Sequence, residues 1–159
     1  MKARTVSSPA ATPPSDAPTA TALKLFVVLN RAHQAIARRE AQHLAAHELT
    51  IAEFAILEAL YHKGPLLLGE VQKKVLVSSG GITFLVDKLT ARGLVERQAC
   101  PSDRRARYAA LTAEGTRLMR RLFPAHAAVI REALTGLSSV EQKHATALLK
   151  QLGKAAATP

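Results

Sequence analysis

Side chains that can bind a polyanion are concentrated between residues 73 and 107 of the chain. Hydroxyl groups can donate or accept hydrogen bonds at nucleic acid bases and phosphates, whereas lysine and arginine neutralise phosphate charge. Thr83 could also place its methyl group against a thymine methyl, and Gly81 would allow a close approach. We therefore predict that the contacts to duplex DNA come from Lys73, Lys74, Ser78, Ser79, Gly81, Thr83, Phe84, Lys88, Arg104 and Arg107.

The apolar residues around these groups predict a helix with one buried face. Ile82, Leu85, Val86 and Leu89 have the spacing i, i+3, i+4, i+7, which is typical of an amphipathic helix. Arg92-Gly93 follows, and glycine is the residue that most often ends a helix. Phe84 can either contact a sugar or a thymine or belong to the core, and the sequence leaves both interpretations open.

A basic hairpin is predicted to follow this helix. Leu94 to Arg97 and Arg104 to Leu111 have the character of two strands, and the segment Pro101-Ser102-Asp103 between them is rich in turn-forming residues. Thr112 can cap the next helix. A helix followed by a basic hairpin is typical of a winged helix-turn-helix, in which the helix enters the major groove and the hairpin reaches the neighbouring minor groove.

The composition favours a single helical domain with a polyanionic partner. The chain has 159 residues, and its 22 Lys and Arg against 12 Asp and Glu give a formal net charge of +10. Aromatic residues make up only 4% of the chain, so the core must consist of aliphatic side chains. A single cysteine fits a reducing cytoplasm, and no apolar run approaches the roughly 20 residues of a membrane span, so no membrane contact is expected.

No motif typical of an enzyme, and no cofactor site, is apparent. A G-x-G-x-x-G sequence, a P-loop and an H-E-x-x-H sequence are all missing. His43 and His47 have the i, i+4 spacing of a metal-binding pair, but no cysteine and few well-placed carboxylates accompany them, which favours ordinary histidines. For Cys100 an inert, exposed side chain is favoured over a redox role.

The remaining segments predict a disordered arm, five further helices and a short tail. Residues 1–19 are rich in Pro, Ser, Thr and Ala, which is typical of a disordered arm. Helices are predicted over about 21–49, from the capping box Thr50-x-x-Glu53, over 112 to about 135, from a second box, Ser138-x-x-Glu141, and, as the short first helix of the helix-turn-helix, over 66–75. Pro124 should kink or interrupt the third of these, and residues 153–159 are expected to form a flexible tail.

Three separately spaced motifs resemble those of the MarR (multiple antibiotic resistance regulator) transcription factors. They are Ser79-Gly80-x-x-Thr83, Leu89-x-x-Arg92-Gly93-Leu94-Val95, and Asp103-Arg104-Arg105 with Leu111-Thr112-x-x-Gly115 after it. The resemblance covers roughly Leu23 to Leu152. It implies a mainly α fold: a winged helix-turn-helix with a two-stranded β-hairpin wing, and a dimerisation region of N- and C-terminal helices. The DNA-binding lobe would span about 50–112, and the dimerisation helices about 21–49 and 113–152, within a domain of residues 20–152.

The resemblance also implies roles for particular residues. Arg105 would enter the minor groove, and Asp103 would brace the hairpin and its arginines. Small aromatic or anionic effectors often bind between the dimerisation helices and the DNA-binding lobe in this family. The residues of this chain expected near that junction are Arg31, His33, Tyr61 and His62. For Tyr61 and His62 a second interpretation stays open, in which they only close the end of their helix.

These observations predict a homodimeric, cytoplasmic, bacterial regulator that binds a pseudo-palindromic operator in double-stranded DNA. Repression controlled by a small effector is the expected mode of action. Two alternatives remain open at this point: a winged-helix module that binds an acidic protein, and a DNA-binding protein without sequence preference.

Overall fold

A computed structural model describes residues 17–75, 79–99 and 107–157, with the backbone alone at residues 79 and 80. In these residues the chain forms six helices and three short strands. In chain order they are α1 (Ala17–Ala45), α2 (Ile51–Lys63), β1 (Leu66–Leu67), α3 (Leu68–Val75), α4 (Ser79–Ala91), β2 (Val95–Ala99), β3 (Arg107–Leu111), α5 (Ala113–Ala133) and α6 (Ser139–Ala156).

The chain divides into two compact units, residues 1–35 and residues 36–159. The described part of the first unit is the beginning of α1, where apolar side chains such as Phe26 and Val28 are exposed. The second unit contains the hydrophobic core. Side chains of α2 supply its centre, because this helix is apolar on most of its circumference and is packed against α3, α4, α5 and β3. The fully buried large apolar side chains are Leu44, Phe54, Ile56, Leu57, Val71, Val86, Leu89, Val95, Met119 and Leu122.

The predicted hairpin is present as β2 and β3, and β1 adds a third strand to it. The sheet is antiparallel with the order β1-β3-β2, and the register places Leu66 opposite Ala109 and Val95 opposite Leu111. The sequence assigned Leu66 and Leu67 to the following helix, because they are apolar and lie next to α3. They form a strand instead, since the free edge of β3 offers their backbone groups hydrogen-bond partners that a local pattern does not reveal.

Most of the predicted helix ends are confirmed. Thr50 with Glu53 and Ser138 with Glu141 form complete capping boxes, and the Thr112 hydroxyl accepts a hydrogen bond from the Gly115 N–H. Gly93 has a φ of 69°, the left-handed conformation expected for a glycine at a helix end. These caps fix where α2, α4, α5 and α6 begin or end.

The helices at the two ends of the chain are longer than predicted. α1 begins at Ala17, so the last three residues of the predicted arm are helical, and α6 continues to Ala156 through most of the predicted tail. Gly153 did not stop α6, because a single glycine costs a helix only about 1 kcal/mol. α5 runs without a break through Pro124 and ends at Ala133, slightly earlier than predicted. In the described part of the chain, no helix combines the length and the apolar character that a membrane crossing requires.

Candidate DNA-binding surface

The helix predicted to read DNA, α4, is held by one face and open on the other. Ile82, Val86 and Leu89 are buried in the core, as their spacing predicted. On the opposite side Thr83 is exposed, and Phe84 is 68% exposed. The interpretation of Phe84 as a core residue is therefore wrong. A hydroxyl and an aromatic ring stand next to each other on this surface, where both can reach a groove of DNA.

Several residues of the predicted site lie outside the described residues. These are Ser78 before α4 and, between the two wing strands, Asp103, Arg104 and Arg105; Cys100, predicted to be inert, lies outside them as well. Ser79 is described in its backbone alone, as the first residue of α4. The roles of these residues stay predictions from the sequence.

Basic side chains line a shallow groove formed by residues of β1, α3, β2 and β3. Lys73 and Lys74 are exposed in the last turn of α3, and Arg107 is exposed at the start of β3. The groove has a volume of about 570 Å³ and includes Arg97 of β2, a cation that the sequence analysis did not single out. Its walls are formed by Leu67, Leu68, Gly69, Glu70, Lys73, Arg97 and Arg107. Three cations against two carboxylates, Glu70 and the Asp87 that pairs with Arg97, leave this face with a net positive charge, which suits the phosphate backbone.

Lys88, which was predicted to contact a phosphate, lies against a buried carboxylate. Its ammonium is 2.8 Å from Oε1 of Glu53, whose side chain is 0% exposed, while the Lys88 side chain is 47% exposed. The two groups therefore form an ion pair between a buried carboxylate and a half-exposed ammonium. Burial opposes ionisation of Glu53, but Lys88 and the Thr50 N–H and hydroxyl outweigh it, so the pKa of this carboxyl lies below its usual range.

Two more contacts fix the second half of α4. Asp87 pairs with the Arg97 guanidinium at 2.6 Å, which links α4 to β2. Arg92 donates hydrogen bonds to the main-chain carbonyls of Glu48 at 2.6 Å and His47 at 3.3 Å, both in the turn between α1 and α2. Together with the Lys88 ion pair, these contacts define the position of α4 relative to its neighbours.

The junction between α4, β2 and α5 explains the glycine in the pattern Leu111-Thr112-x-x-Gly115. The Thr112 hydroxyl donates to the Gly93 carbonyl at 2.6 Å, and the Leu94 carbonyl accepts from the Thr112 N–H at 3.1 Å. Gly115 lies directly against this carbonyl: a Cβ there would overlap the Leu94 oxygen and come within 3.2 Å of Leu111 Cδ2. Only glycine lets α5 start so close to the wing strands.

The residues predicted to bind an effector divide between the two units. Arg31 and His33 are exposed on α1 in the first unit. In the second unit, Tyr61 and His62 lie at the end of α2, and the His62 ring packs edge-on against Phe123 with the ring centroids 4.7 Å apart. Tyr61 and His62 also line a groove of about 620 Å³, whose other side chains come from Leu60, Pro65, Gln98, Ala110, Leu111, Thr116 and Arg120, with Gly64 at its rim.

Three histidines, His43, His47 and His126, lie close together near the end of α1. The spacing in the sequence indicated only the pair His43 and His47. His43 lies beside His47, with 5.7 Å between the ring centroids, and beside His126 of α5, with 6.0 Å. His126 is 6% exposed, stacks on Phe54 at 4.1 Å and faces the Glu40 carboxylate at 3.9 Å. Burial, and the charge of His43, hold the pKa of His126 below its usual range. Within the described ranges no group of three or more His, Cys, Asp or Glu is arranged to hold a metal ion.

Comparison with known proteins identifies relatives along most of the chain. The family model described as "MarR family" matches residues 49–106. The HTH-type transcriptional regulator MhqR of Bacillus subtilis (strain 168) is 44% identical over 135 residues, which cover 85% of this chain and 93% of that protein. Both findings agree with the resemblance carried by the three motifs.

Solved structures show the same fold. The Bordetella bronchiseptica protein BpsR, whose DNA binding is regulated by 6-hydroxynicotinic acid, is 26% identical, with a TM-score of 0.75 over 82% of this chain and 98% of its own. Sco3205, a MarR family transcriptional regulator from Streptomyces coelicolor solved in complex with DNA, has a TM-score of 0.80 at 22% identity, over 88% and 89% of the two chains. Because this chain and MhqR are similar along nearly the whole length of MhqR, the chain belongs to the MarR family of HTH-type transcriptional regulators.

Proposed function

We propose that this chain acts in the cytoplasm as a homodimeric repressor that binds a pseudo-palindromic operator and is released by a small effector. α4 of each copy enters a major groove, and the wing, which contains β2 and β3, reaches the flanking minor groove through Arg105. The observation that carries this proposal is the exposed pair Thr83 and Phe84 on a helix whose opposite face is buried. A helix fixed in this way presents the same side chains to every half-site.

Apolar surface on α6 supports the homodimer. Val140 is 77% exposed, Leu148, Leu149 and Leu152 of the same helix are also exposed, and so is Leu137 just before it. In the first unit, α1 exposes a second apolar set, Leu23, Leu25, Phe26, Val27 and Val28. Exposed apolar residues grouped on terminal helices are characteristic of a subunit interface. A dimer also places two copies of α4 on one duplex, which the two half-sites of an operator require.

The groove at the end of α2 supports an aromatic acid as the effector. Arg120 can pair with a carboxylate, and Tyr61 and His62 offer ring faces and polar tips for a small planar molecule. Regulation of BpsR by 6-hydroxynicotinic acid adds a nitrogen heterocycle to the candidates. The effector must bind the free dimer better than the DNA-bound dimer, because only a difference in affinity shifts the equilibrium.

Selection from a random pool of duplex DNA tests operator binding. We expect a common sequence with two half-sites about one helical turn apart. Thr83→Val, which removes the hydroxyl and keeps the shape, should weaken that sequence more than random duplex. Arg117→Gln, on the exposed part of α5 where Arg117 pairs with Glu114, is the control and should bind as the parent does. Recovery of no common sequence would favour a nonspecific DNA-binding protein, and no binding to any duplex would favour a protein-binding module.

A thermal-shift screen tests the effector. Benzoate, salicylate, nicotinate and 6-hydroxynicotinate are the probes, and any compound that stabilises the protein is then titrated against the DNA complex. A tenfold loss of operator affinity corresponds to about 1.4 kcal/mol of coupling. Arg120→Gln and Tyr61→Ala should lose this response while keeping operator binding without effector. A compound that stabilises the protein but leaves operator affinity unchanged is not an inducer, and an unchanged response in both variants would place the pocket elsewhere.

A further inference from the structure

We propose that Lys88 is a positioning residue, which holds the recognition helix α4 against the start of α2 through Glu53, and does not contact the DNA backbone. This inference rests on the proposed function, because it concerns how α4 is presented to an operator. It assigns a buried residue, Glu53, to DNA recognition, although the Glu53 side chain is 0% exposed and cannot touch DNA itself.

The environment of Glu53 shows why Lys88 is committed to it. Glu53 Oε2 accepts hydrogen bonds from the Thr50 N–H and the Thr50 hydroxyl, each at 2.8 Å. Oε1 has no such hydrogen bond, and the Lys88 ammonium at 2.8 Å is its counter-charge. If Lys88 turned towards a phosphate, a buried carboxylate would lose its ion-pair partner, which costs far more than one exposed ion pair returns.

The contacts of residues near Lys88 show how its ion pair with Glu53 helps to fix the orientation of α4. Asp87, one residue earlier, is tied to the wing through Arg97, while Lys88 is tied to α2 on the other flank of the helix. Arg92 binds the carbonyls of the α1–α2 turn one helical turn later. Thr83 lies five residues before Lys88, about 7.5 Å along the axis, so a tilt at Lys88 displaces the exposed first turns of α4. Base contacts depend on such displacements more than phosphate contacts do.

The salt dependence of binding distinguishes positioning from phosphate contact. A phosphate contact at residue 88 predicts that Lys88→Met lowers the slope of log affinity against log salt by about 0.9 and weakens all sequences alike. Positioning predicts an unchanged slope and a loss of about tenfold, or about 1.4 kcal/mol, in the preference for operator over random duplex. Lys74→Met, at an exposed lysine on α3, is the matched control, which should lower the slope and keep the preference.

Glu53→Gln supplies the decisive comparison, because it alters only the buried partner. It should reproduce the loss of preference seen in Lys88→Met, and the double variant Glu53→Gln/Lys88→Met should be no worse than either single variant. Lys88→Arg, which retains a cation for Glu53, should restore most of the preference. The measurements are fluorescence anisotropy titrations of the full chain with operator and random duplex at several salt concentrations, with circular dichroism to verify folding.

A lower salt slope in Lys88→Met, together with full operator preference in Glu53→Gln, would overturn the positioning role and leave the proposed function intact. If Glu53→Gln does not fold, Lys88→Met and Lys88→Arg still decide the question, because both keep the capping box between Thr50 and Glu53. If the parent chain itself shows no sequence preference, the proposed function fails, and this inference fails with it.

Discussion

Replacing Gly115 by alanine should destabilise the protein, although alanine is the better helix former. Gly115 lies in the first turn of α5, and an added Cβ would overlap the Leu94 main-chain oxygen and approach the Leu94 carbonyl carbon to 3.0 Å. A flexible side chain could move aside, but this obstacle is backbone. The same Leu94 carbonyl accepts the hydrogen bond from the Thr112 N–H, so relief of the overlap must move either α5 or the start of β2.

The expected decrease in the free energy of unfolding is the difference between two opposing contributions. Overpacking costs about 1–3 kcal/mol, and the value here should be at the upper end because main-chain atoms collide. Alanine recovers up to about 1 kcal/mol of helix propensity. The net decrease in the free energy of unfolding should then be about 2 kcal/mol, which lowers Tm by roughly 4–8 °C for a chain of this size.

Gly153→Ala is the matched control, since Gly153 is also helical and a Cβ there meets no atom within 4 Å. It should raise the free energy of unfolding by up to about 1 kcal/mol. Urea unfolding and thermal melting of both variants, at one protomer concentration, provide the comparison, because the stability of a dimer depends on concentration. If Gly115→Ala proves as stable as Gly153→Ala, the close approach of α5 to Leu94 is not a feature of the molecule in solution.

Three further predictions concern the interface, the buried histidine and the wing. Leu148→Asp should shift the protein from dimer towards monomer in light scattering at micromolar concentration, because it places a charge in the proposed apolar interface. If the parent chain is itself a monomer in this measurement, the proposed homodimer is refuted. The folded state holds fewer protons on His126 than the unfolded chain at pH values just below the ordinary histidine pKa of 6.5, so its contribution to stability is present above 6.5 and is lost as the pH falls from there through the lower pKa of the folded state. His126→Gln should therefore make the free energy of unfolding less dependent on pH below 6.5, and an unchanged dependence in urea titrations would assign it to other groups. Arg105→Ala should reduce specific binding by about 1–3 kcal/mol, and equal binding of variant and parent at matched salt would rule out the wing arginine as a reader.

Several elements of the fold could be predicted because their signals are local. The apolar spacing of Ile82, Val86 and Leu89 and the capping boxes at Thr50 and Ser138 depend on residues close together in the sequence, and each is present in the structure. The two ends of the chain were harder to predict. Alanine- and threonine-rich segments have no apolar periodicity, so the start of α1 at Ala17 and the end of α6 at Ala156 were missed.

The partners of the charged residues could not be predicted, because they are distant in the sequence. Lys88 and Glu53 are separated by 35 positions, and a lysine on the polar side of a helix is most simply interpreted as a phosphate contact. The capping box with Thr50 already accounts for a glutamate at position 53, so nothing nearby in the sequence indicates its ion pair with Lys88. His126 likewise meets His43 and Glu40 only when α5 packs against α1, and a lone histidine in α5 gives no sign of this.

The two-residue strand β1 has a mechanical consequence for regulation. It pairs with β3 and runs directly into α3, so the root of the wing and the start of the helix-turn-helix share one set of backbone hydrogen bonds. With Arg97 also joined to Asp87, the wing and α4 are expected to move as one rigid body. An effector would then act on the distance between the two DNA-binding lobes of a dimer, not on the angle between helix and wing within one lobe. In the induced dimer, the distance between the two lobes would then no longer match the distance between the half-sites of the operator.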